Sequence, residues 1–312
     1  ASVTQTMHPA STNVWDGTVD TSWYDANPGA AEFHLYDAAD LAGLAYIVNQ
    51  GTEYPSGHEQ FKDKTIYLES DIYLNDHASS AQDAAARAWP SIGGSERLHT
   101  YKAIFNGTFD GKGHTVYNMY IYQPENYNYD ISCGRALFGG IAENAAVRNV
   151  SVTGYVECAR YAAGIVGKIS PSDGSSAMYP TSPPGALVEN CTSYATIVAN
   201  GRRGSAGIVG CAWNYPIVRN CVNYGTITQT GVDGYGNVGG IVGETEYVVE
   251  NCVNYGSIIN NSNPGDQGNA GGIAGQATYN AIVRNCYNLG TVSSAITAGG
   301  IIGNEMGASY NC

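Results

Sequence analysis

Aromatic rings recur at a regular interval in the second half of this 312-residue chain. Tyr194, Tyr224 and Tyr255 hold one place in a repeating decapeptide. Trp213, Tyr215, Tyr247 and Tyr279 gather just after a second repeating motif, GIVG and its variants. The chemistry that such rings offer is recognition. Their faces stack on the apolar C–H faces of pyranose rings, while phenol, Asn and Gln groups take sugar hydroxyls. If successive repeats stack like parallel strands, at about 4.8 Å, either set becomes a row whose step is close to the length of one sugar. For Tyr194, Tyr224 and Tyr255 the alternative is a self-stacking ladder that only shields backbone.

Hydrolytic chemistry has less support. Glycoside hydrolysis needs two carboxylates at a defined separation. Glu189 and Glu250 belong to a charge pattern described below, and Glu244 and Glu246, with Gln276 and Asn304 in matching positions, suggest a polar groove. Asp110 in FDGKGH reads as a turn residue, because Asp-Gly is a turn signal, and His114 of that motif is a weak catalytic candidate. No catalytic residue is assigned, and the chain is not expected to be an enzyme. Cys191, Cys221, Cys252, Cys286 and Cys312 recur once per repeat without CxxC or His spacing, which argues against zinc. Stacked cysteines lie within disulfide reach, but a column of buried thiols suits an inward corner better. No metal or cofactor is expected, with a loop calcium at Asp233 or in NNSNPGDQGN (260–269) left open.

The elements that would position these groups come from the repeat. The decapeptide reads VRNVSVTGYV from Val147, VENCTSYATI from Val188, VRNCVNYGTI from Val218, VENCVNYGSI from Val249 and VRNCYNLGTV from Val283. AGIVG, AGIVG, GGIVG, GGIAG and GGIIG follow at 163, 206, 239, 271 and 299. A period of this size marks a solenoid. Short β-branched runs broken by Gly and Asn exclude helical repeats and suit a right-handed parallel β-helix.

Three columns are expected inside: Val147, Val188, Val218, Val249 and Val283; Ile197, Ile227, Ile258 and Val292; and Ile165, Ile208, Ile241, Ile273 and Ile301. Asn149, Asn190, Asn220, Asn251 and Asn285 are expected at a corner as a stacked ladder. Outside the valines, Arg148, Glu189, Arg219, Glu250 and Arg284 alternate in sign. Each charge then sits between two opposite ones, which fixes register. Upstream, YDAADLAGLAYIVNQG reads as a helix over about 37–50, with Asp37 as N-cap and Gly51 as terminator. The whole chain is read as one domain: an N-terminal cap over 1–60 that covers the open end of the solenoid, and coils over 61–312.

Charged residues are 13% of the chain, the formal charge is −13, and 24 residues are Tyr. The negative field argues against nucleic acid and anionic lipid as partners. No apolar run is long enough to span a membrane. The opening ASVTQTMHPASTN is no signal peptide but fits what remains after one is removed. The final YNC restarts the decapeptide, so the natural protein is expected to continue and to be joined to further domains.

The order of motifs, from LAGLAYIVNQG through KTIYLESDIYL, WPSIG, FNGTFDGKGHTVYNMYI and ALFGGI to the NCVNYG and GGIVG coils, resembles the GLUG-type β-helical repeat over roughly residues 35–312. That family is common in secreted and surface proteins of gut bacteria, so the resemblance implies a secreted or cell-surface bacterial protein. More loosely, the chain is similar to β-helical carbohydrate-binding modules attached to plant cell-wall enzymes, including xylan binders. The leading expectation is non-catalytic binding of plant cell-wall polysaccharide such as xylan. A surface adhesin that binds host glycan or protein, and a β-helix glycoside hydrolase or lyase, are the alternatives.

Overall fold

The computed structural model describes residues 14–51, 59–83, 85–94, 103–124, 134–170, 185–230, 236–262, 268–278, 280–307 and 309–312. A short β-strand returns to the same place once per repeat, and the strands stack in parallel. The valine sheet runs through Glu32–Leu35, Thr65–Leu68, Thr108–Asp110, Ala146–Arg148, Leu187–Glu189, Ile217–Arg219, Val248–Glu250, Ile282–Arg284 and Ser309–Asn311. A second wall, the tyrosine sheet, contains Ile72–Tyr73, Thr115–Gln123 and Ser151–Cys158. It then continues as pairs of short strands such as Val222–Asn223 and Ile227–Gln229. A third wall includes Val166–Ser170, Val209–Ala212, Val242–Thr245, Ala274–Ala277 and Ile302–Glu305, beside a smaller sheet from Ser205–Ala206 to Thr297–Gly299. This is a parallel β-helix.

The three apolar columns face inward, as expected. Val147, Val188, Val218, Val249, Val283, Ile197, Ile227, Ile258, Ile165, Ile208, Ile241 and Ile273 are all fully buried. Each such side chain contributes about 1.5–3 kcal/mol of burial free energy. Val292 and Ile301, on the last described coil, are only partly covered. Cys191, Cys221, Cys252 and Cys286 form a buried column of free thiols. Each donates to the valine carbonyl one coil back, as Cys221 does to Val188 and Cys252 to Val218, both at 3.8 Å. Burial pushes the Cys221 thiol well above its ordinary pKa, so it stays protonated.

Between the valine and tyrosine sheets the chain turns at the Asn column. Asn149, Asn190, Asn220, Asn251 and Asn285 all have φ between 53° and 56°. This left-handed region is one that Asn tolerates better than other side-chain-bearing residues. Their amides climb the corner: Asn190 Nδ2 donates to Asn149 Oδ1 at 3.1 Å, Asn251 to Asn220 at 3.3 Å and Asn285 to Asn251 at 3.2 Å. A second Asn ladder runs inside, where Asn223 Nδ2 donates to Asn254 Oδ1 and Asn254 Nδ2 to Asn288 Oδ1, both at 2.8 Å.

The N-terminal helix spans Ala38–Gln50. Asp37 Oδ1 accepts from the Ala39 and Asp40 amides, and Asp40 Oδ2 accepts from the Tyr36 amide, so the two carboxylates cap the helix reciprocally. Leu41, Leu44, Ala45, Ile47 and Val48 are buried against the end of the solenoid. Tyr24, Phe33, Phe61 and Trp23 close over them with ring centroids 5.3–6.2 Å apart. Solenoid pairing starts earlier than expected. Glu32–Leu35, inside the segment read as cap, is already the first rung of the valine sheet and pairs with Thr65–Leu68. EFHL alternates polar and apolar as a half-buried strand should.

The corner geometry makes a stability prediction. Asn251→Ala loses two ladder hydrogen bonds and strains the left-handed backbone, so it should destabilise the fold by about 1–2 kcal/mol. Asn251→Gly keeps the backbone freedom and should cost less. Urea unfolding followed by circular dichroism measures both; equal losses would contradict the conformational part of the account.

Candidate functional site

Position on the tyrosine sheet follows from parity. Ser193, Asn223 and Asn254 are fully buried, so the next residue in each coil points out. Those residues are Tyr194, Tyr224 and Tyr255. Their backbone amides donate to Val152, Ser193 and Asn223 of the coil before, at 2.8–2.9 Å. Asn223 fixes the bend behind Tyr224 by donating to the Gly225 carbonyl and accepting from the Gly225 amide. Gly225 is required there, since a Cβ would lie 1.9 Å from the Ala195 carbonyl oxygen.

The three rings stack nearly parallel. Centroids are 4.9 Å apart for Tyr194–Tyr224 and 4.8 Å for Tyr224–Tyr255, with interplanar angles of 4° and 3°. The self-stacking ladder is therefore present. The rings do stack on themselves, which occupies their inner faces, yet Tyr194 and Tyr255 remain 41% and 46% exposed. What the column presents is a row of ring edges and phenol hydroxyls. Burial, and then the neighbouring phenols, raise the Tyr224 pKa, so its hydroxyl stays protonated and able to donate.

The same column extends further than the sequence suggested. Tyr73 pairs with Tyr117 in register, and their rings stack at 4.8 Å and 11°. Thr153 takes the next place, opposite a bulge at Tyr117 and Asn118, and separates this pair from the stack at Tyr194. Leu289 follows Tyr255 and is 68% exposed, with Tyr287 beside it. On one flank of the stack lie Thr196, Thr226, Ser257 and Thr291, where Thr291 Oγ1 donates to Ser257 Oγ at 3.0 Å. On the other lie Thr192, Val222, Val253 and Tyr287. Ala78, Ala81 and Ala86 pack with Tyr120, Tyr155 and Val198 at the upstream end. Among the described outward positions of this sheet from Thr115 on, Glu157 alone carries a charge, and it accepts a hydrogen bond from Tyr155.

The Trp213 corner is built differently. Ala212 pairs with Thr245, which pairs in turn with Ala277, so the rung positions that follow hold Trp213, Glu246 and Thr278. Trp213 is thus not one of a row of rings. The Arg203 guanidinium sits 5.5 Å from its centroid and covers it. Tyr215 and Tyr247 meet edge to face at 5.5 Å and 88°. Tyr279 lies outside the described residues, as do Asp233 and residues 263–267 of the loop considered for calcium. The six described candidates therefore separate into a stacked trio, an edge-to-face pair and a tryptophan with Arg203 over its ring.

The acidic residues are engaged with other protein groups. Glu244 does share a rung column with Gln276 and Asn304. It is buried at 3% exposure, accepts from Asn237 Nδ2 at 3.1 Å, and burial raises its pKa. Glu246 accepts from the Asn214 amide. His114 Nδ1 faces Asp71 at 3.2 Å. Asp110 is indeed a turn residue, accepting from the Lys112 amide at 2.9 Å, but it also starts both corner ladders. Asn149 Nδ2 donates to it at 2.9 Å and Arg148 Nε at 3.0 Å. The charge ladder closes as discrete pairs rather than as a continuous chain. Arg148 meets Asp110, Arg219 meets Glu189 and Arg284 meets Glu250, always on the preceding coil. A long guanidinium leans to one neighbour, and each half-exposed pair contributes about 0–1 kcal/mol.

Comparison with known proteins agrees with this architecture. The family model described as the GLUG motif matches residues 266–293, which span GGIAG and the decapeptide from Val283. A solved structure of a Bacteroides ovatus protein, provisionally named an immunoglobulin A1 protease, is similar with a TM-score of 0.58 and 19% identity. The match covers 89% of this chain and 75% of that one. No curated protein matches. The GLUG-type β-helical repeat expected from the motifs is borne out, and the structural likeness is one of fold.

Asp110 yields a pH prediction. Burial pushes its pKa up, but the Asn149 amide, the Lys112 N–H and the Arg148 guanidinium outweigh it and hold the carboxyl below the ordinary aspartate value. A depressed folded-state pKa contributes stability above the unfolded value and loses it as pH falls through the folded one. Asp110→Asn should therefore flatten the acid limb of the stability curve, measured by thermal melts from neutral to acidic pH. An unchanged acid limb would show that Asp110 does not couple folding to protons.

Proposed function

We propose that the chain is a non-catalytic module that binds a polysaccharide, with plant cell-wall xylan the first ligand to try, along the tyrosine column Tyr194, Tyr224 and Tyr255. The observation that carries this reading is the stack itself: three hydroxyl-bearing rings at 4.8–4.9 Å steps on an exposed sheet face. Sugar hydroxyls pair with phenol, Thr and Ser hydroxyls, and the ring edges and Leu289 offer apolar surface to C–H groups. The absence of a catalytic role is supported by how the carboxylates are spent. Asp110, Glu189 and Glu250 hold arginines, and Glu244 and Glu246 are turned into the protein. A β-helical repeat with a GLUG motif suits a secreted or surface-attached bacterial protein that meets such polymers outside the cell.

The corner aromatics Trp213, Tyr215 and Tyr247 are a second place where glycan could bind. They are less favoured, because Arg203 covers Trp213 and the tyrosines do not align. Native affinity electrophoresis in gels containing soluble xylan, and then other cell-wall glycans, tests the proposal. The wild-type chain should be retarded. Tyr224→Ala should weaken retention about tenfold, a loss of roughly 1.4 kcal/mol, while Trp213→Ala should retain it. Loss of retention in Trp213→Ala alone would move the site to the corner, and no retardation by any glycan would remove the reading.

A further inference from the structure

We infer that the tyrosine face takes a linear, uncharged polysaccharide laid parallel to the solenoid axis, held chiefly through hydroxyl groups rather than through ring-face stacking. This rests on the polysaccharide-binding reading above and specifies its ligand.

Charge excludes one large class of glycan. A uronate polymer brings a carboxylate with each sugar and needs cations along its path. Every outward position from Tyr194 to Leu289 and on both flanks of that stack is neutral. Arg219 and Arg284, which precede Tyr224 and Leu289 in their coils, are already paired with Glu189 and Glu250. The chain as a whole carries −13, which repels a polyanion before contact.

Direction follows from periodicity. Across one coil the outward residues change at each step, from Val222 to Tyr224 to Thr226 to Thr228. Along the axis they repeat: Tyr194, Tyr224 and Tyr255 in one column, and Thr196, Thr226, Ser257 and Thr291 in the next. A polymer that presents the same hydroxyls at each unit can satisfy the same partners at each unit only along the direction in which the protein itself repeats. The strip also has ends. Thr153 is nearly buried and Ala78, Ala81 and Ala86 pack over the sheet upstream, while Leu289 interrupts the phenol row downstream. From Tyr194 to Leu289 the strip spans four rungs, or about 14 Å, room for about three or four sugars.

Contact through hydroxyls follows from the stacking. Parallel rings at 4.8–4.9 Å leave no space for a pyranose between them. Only the edges and the phenol oxygens face a ligand on top of the strip, and burial raises the pKa of the central phenol, Tyr224, so it stays protonated.

The intact 312-residue chain is titrated against unsubstituted β-xylan, β-glucan and β-mannan, against polygalacturonate and alginate, and against a disaccharide and a hexasaccharide of whichever neutral polymer binds. A neutral polymer should bind and the uronates should not. The hexasaccharide should bind at least about tenfold more tightly than the disaccharide, because it engages more rungs. Tyr224→Phe, which keeps the ring stack and removes one hydroxyl, should weaken hexasaccharide binding about fivefold, within the range of one hydrogen bond, with an unchanged melting temperature. Binding of uronates alone, equal affinity for the two oligosaccharides, or full affinity in Tyr224→Phe would overturn this inference and leave polysaccharide binding standing. No binding to any polymer would remove the underlying reading as well. A dimer in solution that Tyr224→Ala splits would make the strip an interface between copies and overturn the inference.

Discussion

Every feature of this molecule depends on one constraint: successive coils are hydrogen-bonded in parallel at a fixed step, so each residue lies directly above its equivalent. Whatever stands at one place in the repeat becomes a column. Valine and isoleucine columns then make a core. A column of Asn makes a corner whose amides bond up the stack, and like-signed charges would make a repulsive strip. The alternation of Arg with Asp or Glu avoids that strip, and the structure shows it closing as pairs between adjacent coils. The same rule sends Tyr194, Tyr224 and Tyr255 into a parallel stack without any further design.

The constraint also explains what was legible in the sequence. A residue's inward or outward parity could be read from the decapeptide, because Val, Cys and Ile recur where burial requires them. The Asn corner could be read as well, since few other residues tolerate its backbone. The course of a column through irregular coils could not. Tyr73 and Tyr117 belong to the same row as Tyr194, but Tyr117 lies beside a bulge in a segment with no decapeptide, so spacing alone did not align it. The Trp213 corner failed as a row for a related reason. Two residues separate the paired strands at Glu246 and Tyr247, but four do so from Trp213 to Pro216, so Trp213 falls level with Glu246 rather than with Tyr247. The first rung at Glu32–Leu35 was hidden by the strong helix signal that follows it.

A stacked tyrosine column has a consequence for recognition. Rings that satisfy one another are rigid and already ordered, so a ligand need not immobilise them, and less free energy is lost on binding. The cost is that their inner faces are unavailable. Recognition then shifts to hydroxyls and edges, and the flanking Thr and Ser columns become as important as the rings. A flat, uncharged strip of this kind follows from the fold whenever polar uncharged residues occupy outward places over several coils.

A crystal structure of the chain soaked with a neutral hexasaccharide of the polymer that binds tests the central claim most directly. The account predicts one sugar chain running parallel to the solenoid axis over Tyr194, Tyr224 and Tyr255, its hydroxyls within hydrogen-bond distance of the phenol oxygens. Sugar density crossing the coils, or lying at Trp213 instead, would contradict it.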